Sequence, residues 1–281
     1  MRTAYVNGEF LPLDQAKISI LDRGFLFADG VYEVSAVIDG KLVDNAAHLA
    51  RLKRSLGEIE LDLPISYAEL EAVMAELVAC DRLDEGVVYL QVTRGAAERD
   101  FAFPENAEPT LVLFTMAKTL VDPPEARTGI KIITFEEIRW ARRDIKSVAM
   151  LGQVMAKQAA VAAGAFEAWF VEDGFVTEGA SSSAFIVGRD GEIVTRVADR
   201  SILPGITRKA VIALAAETGL TLVERSFSVS EAKAAAEAFI TSASTLVLPV
   251  IAIDGEKVGG GTPGPMVTRL RQLYLDFARK G

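Results

Sequence analysis

One cysteine and one histidine in 281 residues rule out several kinds of chemistry at once. Cys80 has no partner for an intrachain disulfide and no companions for a cysteine-based zinc site. It lies among apolar helical residues and reads as a core filler. His48, the lone imidazole, excludes any site that needs two histidines, and a Ser-His-Asp triad would have to be built on it. Basic residues are in deficit, 30 against 39 acidic, for a net charge of -9. That balance argues against a nucleic-acid partner, because a polyanion is repelled unless a basic face is set apart. The one dense basic cluster, Arg51, Lys53 and Arg54, is too short for such a face. No apolar run approaches the roughly 18 residues of a membrane span, and the opening MRTAYVNGEFLPLD lacks the apolar core of a secretory signal. The expectation is a soluble, cytoplasmic protein without membrane contact.

What the chain does have is half hydrophobic residues and a quarter charged, an ordinary globular composition over a length that accommodates two modest domains. Asn7-Gly8 and Asp39-Gly40 suit tight hairpin turns. Along VYEVSAVIDGKLV, alternation sets Tyr32, Val34 and Ala36 on one face and Glu33, Ser35 and Val37 on the other. Helices are predicted over 46–59 and 66–83, the second opening on the capping box Ser66-x-x-Glu69. Strands at 87–93 and 110–117 flank the long polar loop RGAAERDFAFPENAEP, whose length in a folded domain suggests function. Asp122-Pro123-Pro124-Glu125 reads as a linker. The boundaries are therefore an N-terminal α+β domain over 1–120, a linker at 121–125, and a C-terminal α+β domain over 126–281. Within the latter, WARRDIKS leads into a helix through about Ala163, and helices and strands interleave without a strict βαβ rhythm.

Two side chains carry the most chemistry. Lys146 opens the alanine-rich DIKSVAMLGQVMAKQ, and Glu178 stands in VTEGASSS. A lysine amine condenses with an aldehyde, and a carboxylate keeps a pyridine nitrogen protonated, so together they suit a pyridoxal phosphate enzyme. Three segments could hold the phosphate. LPGITRKAVIAL starts a helix at Ile206 and Thr207, where free N–H groups and the helix dipole favour an anion. TSAST follows a strand, and His48, Arg51 and Arg54 share one helix face. Spacing alone does not choose among them.

From Asp22 to about Pro249 the chain resembles the fold type IV pyridoxal phosphate transaminases, the family of D-amino acid and branched-chain aminotransferases. The resemblance lies in LDRGFLFADGVYEV, HLARLKRS, DIKSVAMLGQVMAKQ, VTEGASSSAFIV, ILPGITRK and ITSASTLVLPV, in the family's order and at its intervals. VYEV, its tight hairpin and RGAAERDFAFPEN look most like D-amino acid aminotransferase. The resemblance implies a two-domain enzyme with its active site between the domains, and a homodimer in which the loop of Arg99 crosses to the partner. The reaction implied is transfer of an amino group from a D-amino acid to 2-oxoglutarate or pyruvate. An (R)-selective amine transaminase and a branched-chain L-amino acid aminotransferase are the alternatives on the same scaffold. Lys146 would carry the pyridoxal 5′-phosphate as a Schiff base and Glu178 would pair with its ring nitrogen. Arg51, Ile206, Thr207, Ser242 and Ala243 would hold the phosphate, Leu203 would pack on the ring, and Ser182 would lie beside it. Tyr32, Val34 and Arg99 match substrate-binding positions. The chain departs from the family at Phe101, where a histidine is usual, and at Ala243, where a hydroxyl is usual. Arg23, Arg139, Arg142 and Arg143 are the candidates to replace the missing donor.

Overall fold

A computed structural model describes residues 2–280. They divide into two units: one runs to Thr119 and takes in Ile145–Ala149, and the other holds Leu120–Asp144 with Met150–Lys280. Among the described residues, no helix is long and apolar enough to cross a membrane.

The first unit contains β1 (Thr3–Val6), β2 (Glu9–Pro12), α1 (Arg23–Phe27), β3 (Gly30–Ile38), β4 (Lys41–Leu42), α2 (Asn45–Glu58), α3 (Tyr67–Cys80), β5 (Gly86–Thr93) and β6 (Thr110–Ala117). Its sheet runs β2-β1-β6-β5-β3-β4, antiparallel throughout. Asn7 and Gly8 both take positive φ, as do Asp39 and Gly40, the conformation a two-residue hairpin turn demands. The capping box forms as read: Ser66 accepts from the Glu69 amide, and the Glu69 carboxylate accepts from the Ser66 amide. Leu49, Leu52, Leu56, Leu70, Met74 and Leu77 bury the apolar stripes of α2 and α3 against Val31, Val88, Leu90, Leu111 and Leu113 of the sheet. Cys80 ends α3 and is exposed, not in the core, because the stripe of α3 is carried by Leu70, Met74 and Leu77.

The segment Ile145–Ala149 is irregular, with a single bridge from Ser147 to Val31, and is not the opening of a helix. The Tyr32 amide donates to the Lys146 carbonyl at 2.9 Å, and the Val148 amide to the Gly30 carbonyl at 3.1 Å. β4 pairs only with Val37 and Ile38, so the start of β3 has a vacant edge that this segment fills. That pairing outweighs the local helix preference and seats Lys146 with the first unit, although the sequence placed it in the C-terminal domain.

The second unit contains α4 (Pro124–Thr128), β7 (Ile130–Glu136), α5 (Leu151–Ala162), β8 (Glu167–Glu172), β9 (Phe175–Gly179), β10 (Ser183–Val187), β11 (Ile193–Thr195), α6 (Ile206–Glu217), β12 (Leu222–Glu224), α7 (Val229–Ala234), β13 (Glu237–Ser242), β14 (Leu246–Ile253), β15 (Glu256–Lys257) and α8 (Pro265–Lys280). The sheet runs β12-β11-β10-β13-β14-β7-β8-β9, with β15 beside β14. Parallel and antiparallel pairs mix in it, which makes the fold α+β. Residues 121–125 are tied down: Pro124 starts α4, and the carbonyl of Val121 accepts from Arg271 of α8 at 3.0 Å.

Candidate active site

In the first unit, β3 buries the face that carries its polar residues. Glu33 and Ser35 are fully covered beneath α2, while Tyr32 and Val34 on the opposite face are half-buried. The Glu33 carboxylate accepts from Arg51 Nε at 2.7 Å and Nη2 at 2.8 Å, and meets His48 Nδ1 at 2.8 Å. Burial alone would raise the Glu33 carboxyl. The charge and hydrogen bonds of Arg51, then of His48, outweigh it and hold the group at about 2. The basic face expected at His48, Arg51 and Arg54 is thus split: the first two are buried on Glu33, and Arg54 stays exposed near Glu58.

On the opposite face the Tyr32 ring stacks on Tyr89 at 5.6 Å, and Tyr89 on Phe114 at 4.9 Å. Burial, with Tyr32 close by, pushes the Tyr89 phenol up to about 12, and its hydroxyl donates to Gln91 at 2.7 Å. Lys146 Nζ lies 4.1 Å from the centre of the Tyr32 ring and, among the described residues, forms no salt bridge. Asp144, its neighbour in sequence, accepts instead from Arg142 at 3.0 Å. Val34 stands opposite Tyr89 in the register. Arg99 lies exposed on the loop between β5 and β6. Its guanidinium is over the Phe27 ring at 5.2 Å and the Phe101 ring at 5.7 Å.

In the second unit, register brings the separate motifs to one place. Ser183 at the start of β10 pairs with Thr241 at the end of β13, so the GASSS and TSAST segments lie side by side. Glu178, at the end of β9, is buried, and its Oε2 accepts from the Leu203 amide at 3.1 Å. Its Oε1 accepts from Arg139 Nη1 at 2.7 Å. Arg139 also grips Glu137 through Nε at 2.9 Å and Nη2 at 2.6 Å, and lies over Phe170 at 4.1 Å. Burial pushes the Glu178 carboxyl above its ordinary range against the pull of Arg139 and the Leu203 amide. Arg139 was readable only as a stray arginine; 39 residues separate it from the carboxylate it supports, and no local signal joins them. Glu137, missed altogether, stays below its ordinary value because Arg139 and then Arg143 outweigh its burial.

Next to this pair α6 begins at Ile206 with no side chain capping it, so its first N–H groups face outward. A Cβ on Gly205 would come within 2.7 Å of Ser183 Oγ, so a side chain there would require that hydroxyl to shift. Thr207 is buried, and Thr241 Oγ1 is buried with no hydrogen-bond partner. Ser242 Oγ meets Thr245 Oγ1 at 2.8 Å in the turn that includes Ala243. Uncapped amides, a glycine at close approach and a hydroxyl without a partner form a donor set suited to a phosphate. The Ser182 hydroxyl donates to Glu167 at 3.3 Å.

The four arginines considered as the missing donor are all engaged elsewhere. Arg139 is on Glu137 and Glu178, Arg142 on Asp144, Arg143 on Glu172 at 2.7 Å, and Arg23 on Asp29 at 2.8 Å.

A family model described as amino-transferase class IV matches residues 30–253. The D-alanine aminotransferase of Staphylococcus haemolyticus is 40% identical over 278 residues, covering 99% of this chain and 98% of its own. That of Bacillus licheniformis is 40% identical over 267 residues, covering 94% and 93%. Among solved structures, the branched-chain amino acid aminotransferase of Thermoproteus uzoniensis with norvaline matches with a TM-score of 0.85 and 25% identity, over 99% of this chain and 96% of that one. The branched-chain enzyme of Escherichia coli, at 23% identity and a TM-score of 0.90, shares the fold over 99% and 94%.

Proposed function

This chain belongs to the amino-transferase class IV family, and we propose that, as a pyridoxal 5′-phosphate-dependent aminotransferase, it moves the amino group of D-amino acids to a 2-oxo acid such as 2-oxoglutarate or pyruvate. The observation that carries this reading is the likeness, over nearly its whole length, to D-alanine aminotransferases. The residues of the chain fit the cofactor part by part: a lysine amine without a salt bridge, a buried carboxylate, and a phosphate-suited donor set at the start of α6.

When bound, the cofactor supplies an aldehyde that condenses with amines and a conjugated ring that accepts the electron pair left by the departing α-proton. Lys146 Nζ would hold the cofactor through its aldehyde and, when free, would serve as the positioned base that moves the α-proton. Glu178 would pair with the ring nitrogen, and Arg139 opposes the burial that favours the neutral form of the carboxyl. Ile206, Thr207, Ser242 and Ala243 would hold the phosphate, and Arg51, its guanidinium fixed by Glu33, would supply it with a cation. Leu203, whose amide donates to Glu178, would pack against the ring, and Ser182 would lie beside it. Tyr32, Val34 and Arg99 receive the substrate, the arginine pairing with its carboxylate.

We further propose a homodimer. α5 leaves Leu151, Val154, Met155 and Val161 at 50–73% exposure, an apolar face of the kind a second copy covers. A lone exposed thiol at Cys80 suits a reducing compartment, and we place the enzyme in the cytoplasm.

Single-turnover bleaching of the cofactor's visible band by D-alanine, L-leucine and (R)-1-phenylethylamine tests the reading. D-alanine is expected to react fastest. A response to the amine alone, or to L-leucine in preference, would replace the D-amino acid assignment with one of the rivals. The support from Arg139 has its own test. Arg139→Met removes a cation that lowers the Glu178 carboxyl, so the acid limb of the kcat profile is expected to move to higher pH. An unmoved limb would mean that Arg139 does not set the charge of Glu178.

A further inference from the structure

The loop between β5 and β6 is long, yet its tip is fastened from beneath. Arg23, the first residue of α1, is buried, and its Nε donates to Asp29 Oδ2 at 2.8 Å. Its two remaining nitrogens reach the main chain of the loop: Nη1 donates to the Asp100 carbonyl at 2.6 Å and Nη2 to the Phe101 carbonyl at 3.4 Å. The same Asp29 oxygen accepts from Arg94 Nε at 2.8 Å. Arg94 in turn holds the carbonyls of Ile59 at 2.6 Å and Glu60 at 3.0 Å just beyond α2, and lies 3.6 Å over the Phe103 ring. One carboxylate thus joins two guanidinium groups, one gripping the loop and one gripping the helical layer.

Above this anchor the side chains form a cluster. Arg23 lies 4.8 Å over the Phe27 ring, Arg99 lies over the same ring at 5.2 Å, and Phe27 meets Phe101 at 5.4 Å. Asp100, whose charge could have neutralised Arg99, instead accepts from the Ala102 amide at 3.1 Å. Stacking on aromatic rings occupies the flat faces of a guanidinium and leaves the N–H donors on its edge for a carboxylate. Phe101 lies 5.7 Å from the Arg99 guanidinium and gives it a ring contact rather than a hydrogen-bond donor.

We propose that Arg23 is a positioning residue for substrate carboxylate recognition: held by Asp29, it fixes the Asp100 and Phe101 carbonyls and so sets where the edge of Arg99 points. The proposal rests on the reading of Arg99 as the residue that pairs with the substrate carboxylate. It adds a second group, remote in sequence, on which selectivity for acids depends.

The test uses the full-length, cofactor-loaded enzyme with Arg23→Met, Arg23→Lys and, as a gauge, Arg99→Ala. For Arg23→Met the KM for 2-oxoglutarate is expected to rise about tenfold, comparable to losing one charge-assisted hydrogen bond, while kcat stays within about twofold. Arg23→Lys, which keeps the pairing with Asp29 but cannot also reach both carbonyls, is expected to fall between. Amide hydrogen exchange over residues 98–103 is expected to quicken in the methionine variant. If Arg99→Ala raises KM and the Arg23 variants do not, the positioning role is wrong. Should Arg99→Ala leave KM unchanged, the assignment of Arg99 fails first and the proposal falls with it. A fall in kcat as large as the rise in KM would mark Arg23 as merely structural and overturn the proposal. Should the methionine variant not fold, the lysine variant carries the same comparison.

Discussion

Lys146→Ala is expected to abolish transamination, with kcat reduced at least ~10³-fold, the scale of a lost positioned base before any covalent contribution is counted. The side chain it removes is half-buried, with its amine over the Tyr32 ring and no salt bridge to break before it can react. The backbone of the segment is held by the Tyr32 and Val148 amides, which the substitution leaves in place. The variant is therefore expected to fold and melt like the parent. Turnover above the uncatalysed background, measured as 2-oxo acid formed from D-alanine, would remove Lys146 from the mechanism.

Glu33→Ala is expected to produce the largest loss of stability. Glu33 is fully buried, and it alone of the three groups in its cluster brings negative charge to Arg51 and His48. Its removal takes this carboxylate from a buried guanidinium, and breaking a pair of this kind costs ~3–5 kcal/mol. Linkage gives a similar figure. The carboxyl is held at about 2 in the folded protein against an ordinary value of 4.5. A group lowered on folding contributes fully above its unfolded value, and that contribution is lost as pH falls through the folded one. The parent is thus expected to lose about 3 kcal/mol between pH 4.5 and 2 through this group. Urea unfolding followed by circular dichroism, at neutral pH and at pH 3, checks both. Equal stability of parent and variant at neutral pH would show that Arg51 finds another partner or water. Replacing all three groups together by apolar residues is expected to recover much of the loss, since no charge is then left uncovered.

These two residues mark how far local pattern reaches. The hairpin at Asp39-Gly40 and the cap at Ser66 were legible because the turn and the first helical turn each decide their own geometry within four residues. The face of β3 was legible as an alternation, but not which side is buried: Glu33 and Ser35 lie inward because α2 brings His48, Arg51 and Asn45 to meet them. Lys146 was picked out by its chemistry and misplaced in structure, since the vacant edge of β3 lies more than a hundred residues upstream. The partnership of Arg139 with Glu178, and that of Arg23 with the loop of Arg99, depend on contacts that no spacing rule encodes.

The way the chain is threaded bears on how the protein can be dissected. It leaves the first unit after Thr119, returns for the five residues Ile145–Ala149, and departs again. A fragment ending at Thr119 would contain β3 but not the strip that pairs beside it, and the complementary fragment would contain the lysine but not its aromatic neighbour. Split-protein reporters or domain swaps between relatives must therefore carry residues 145–149 with the N-terminal half, or they will separate the reactive amine from the surface that seats it.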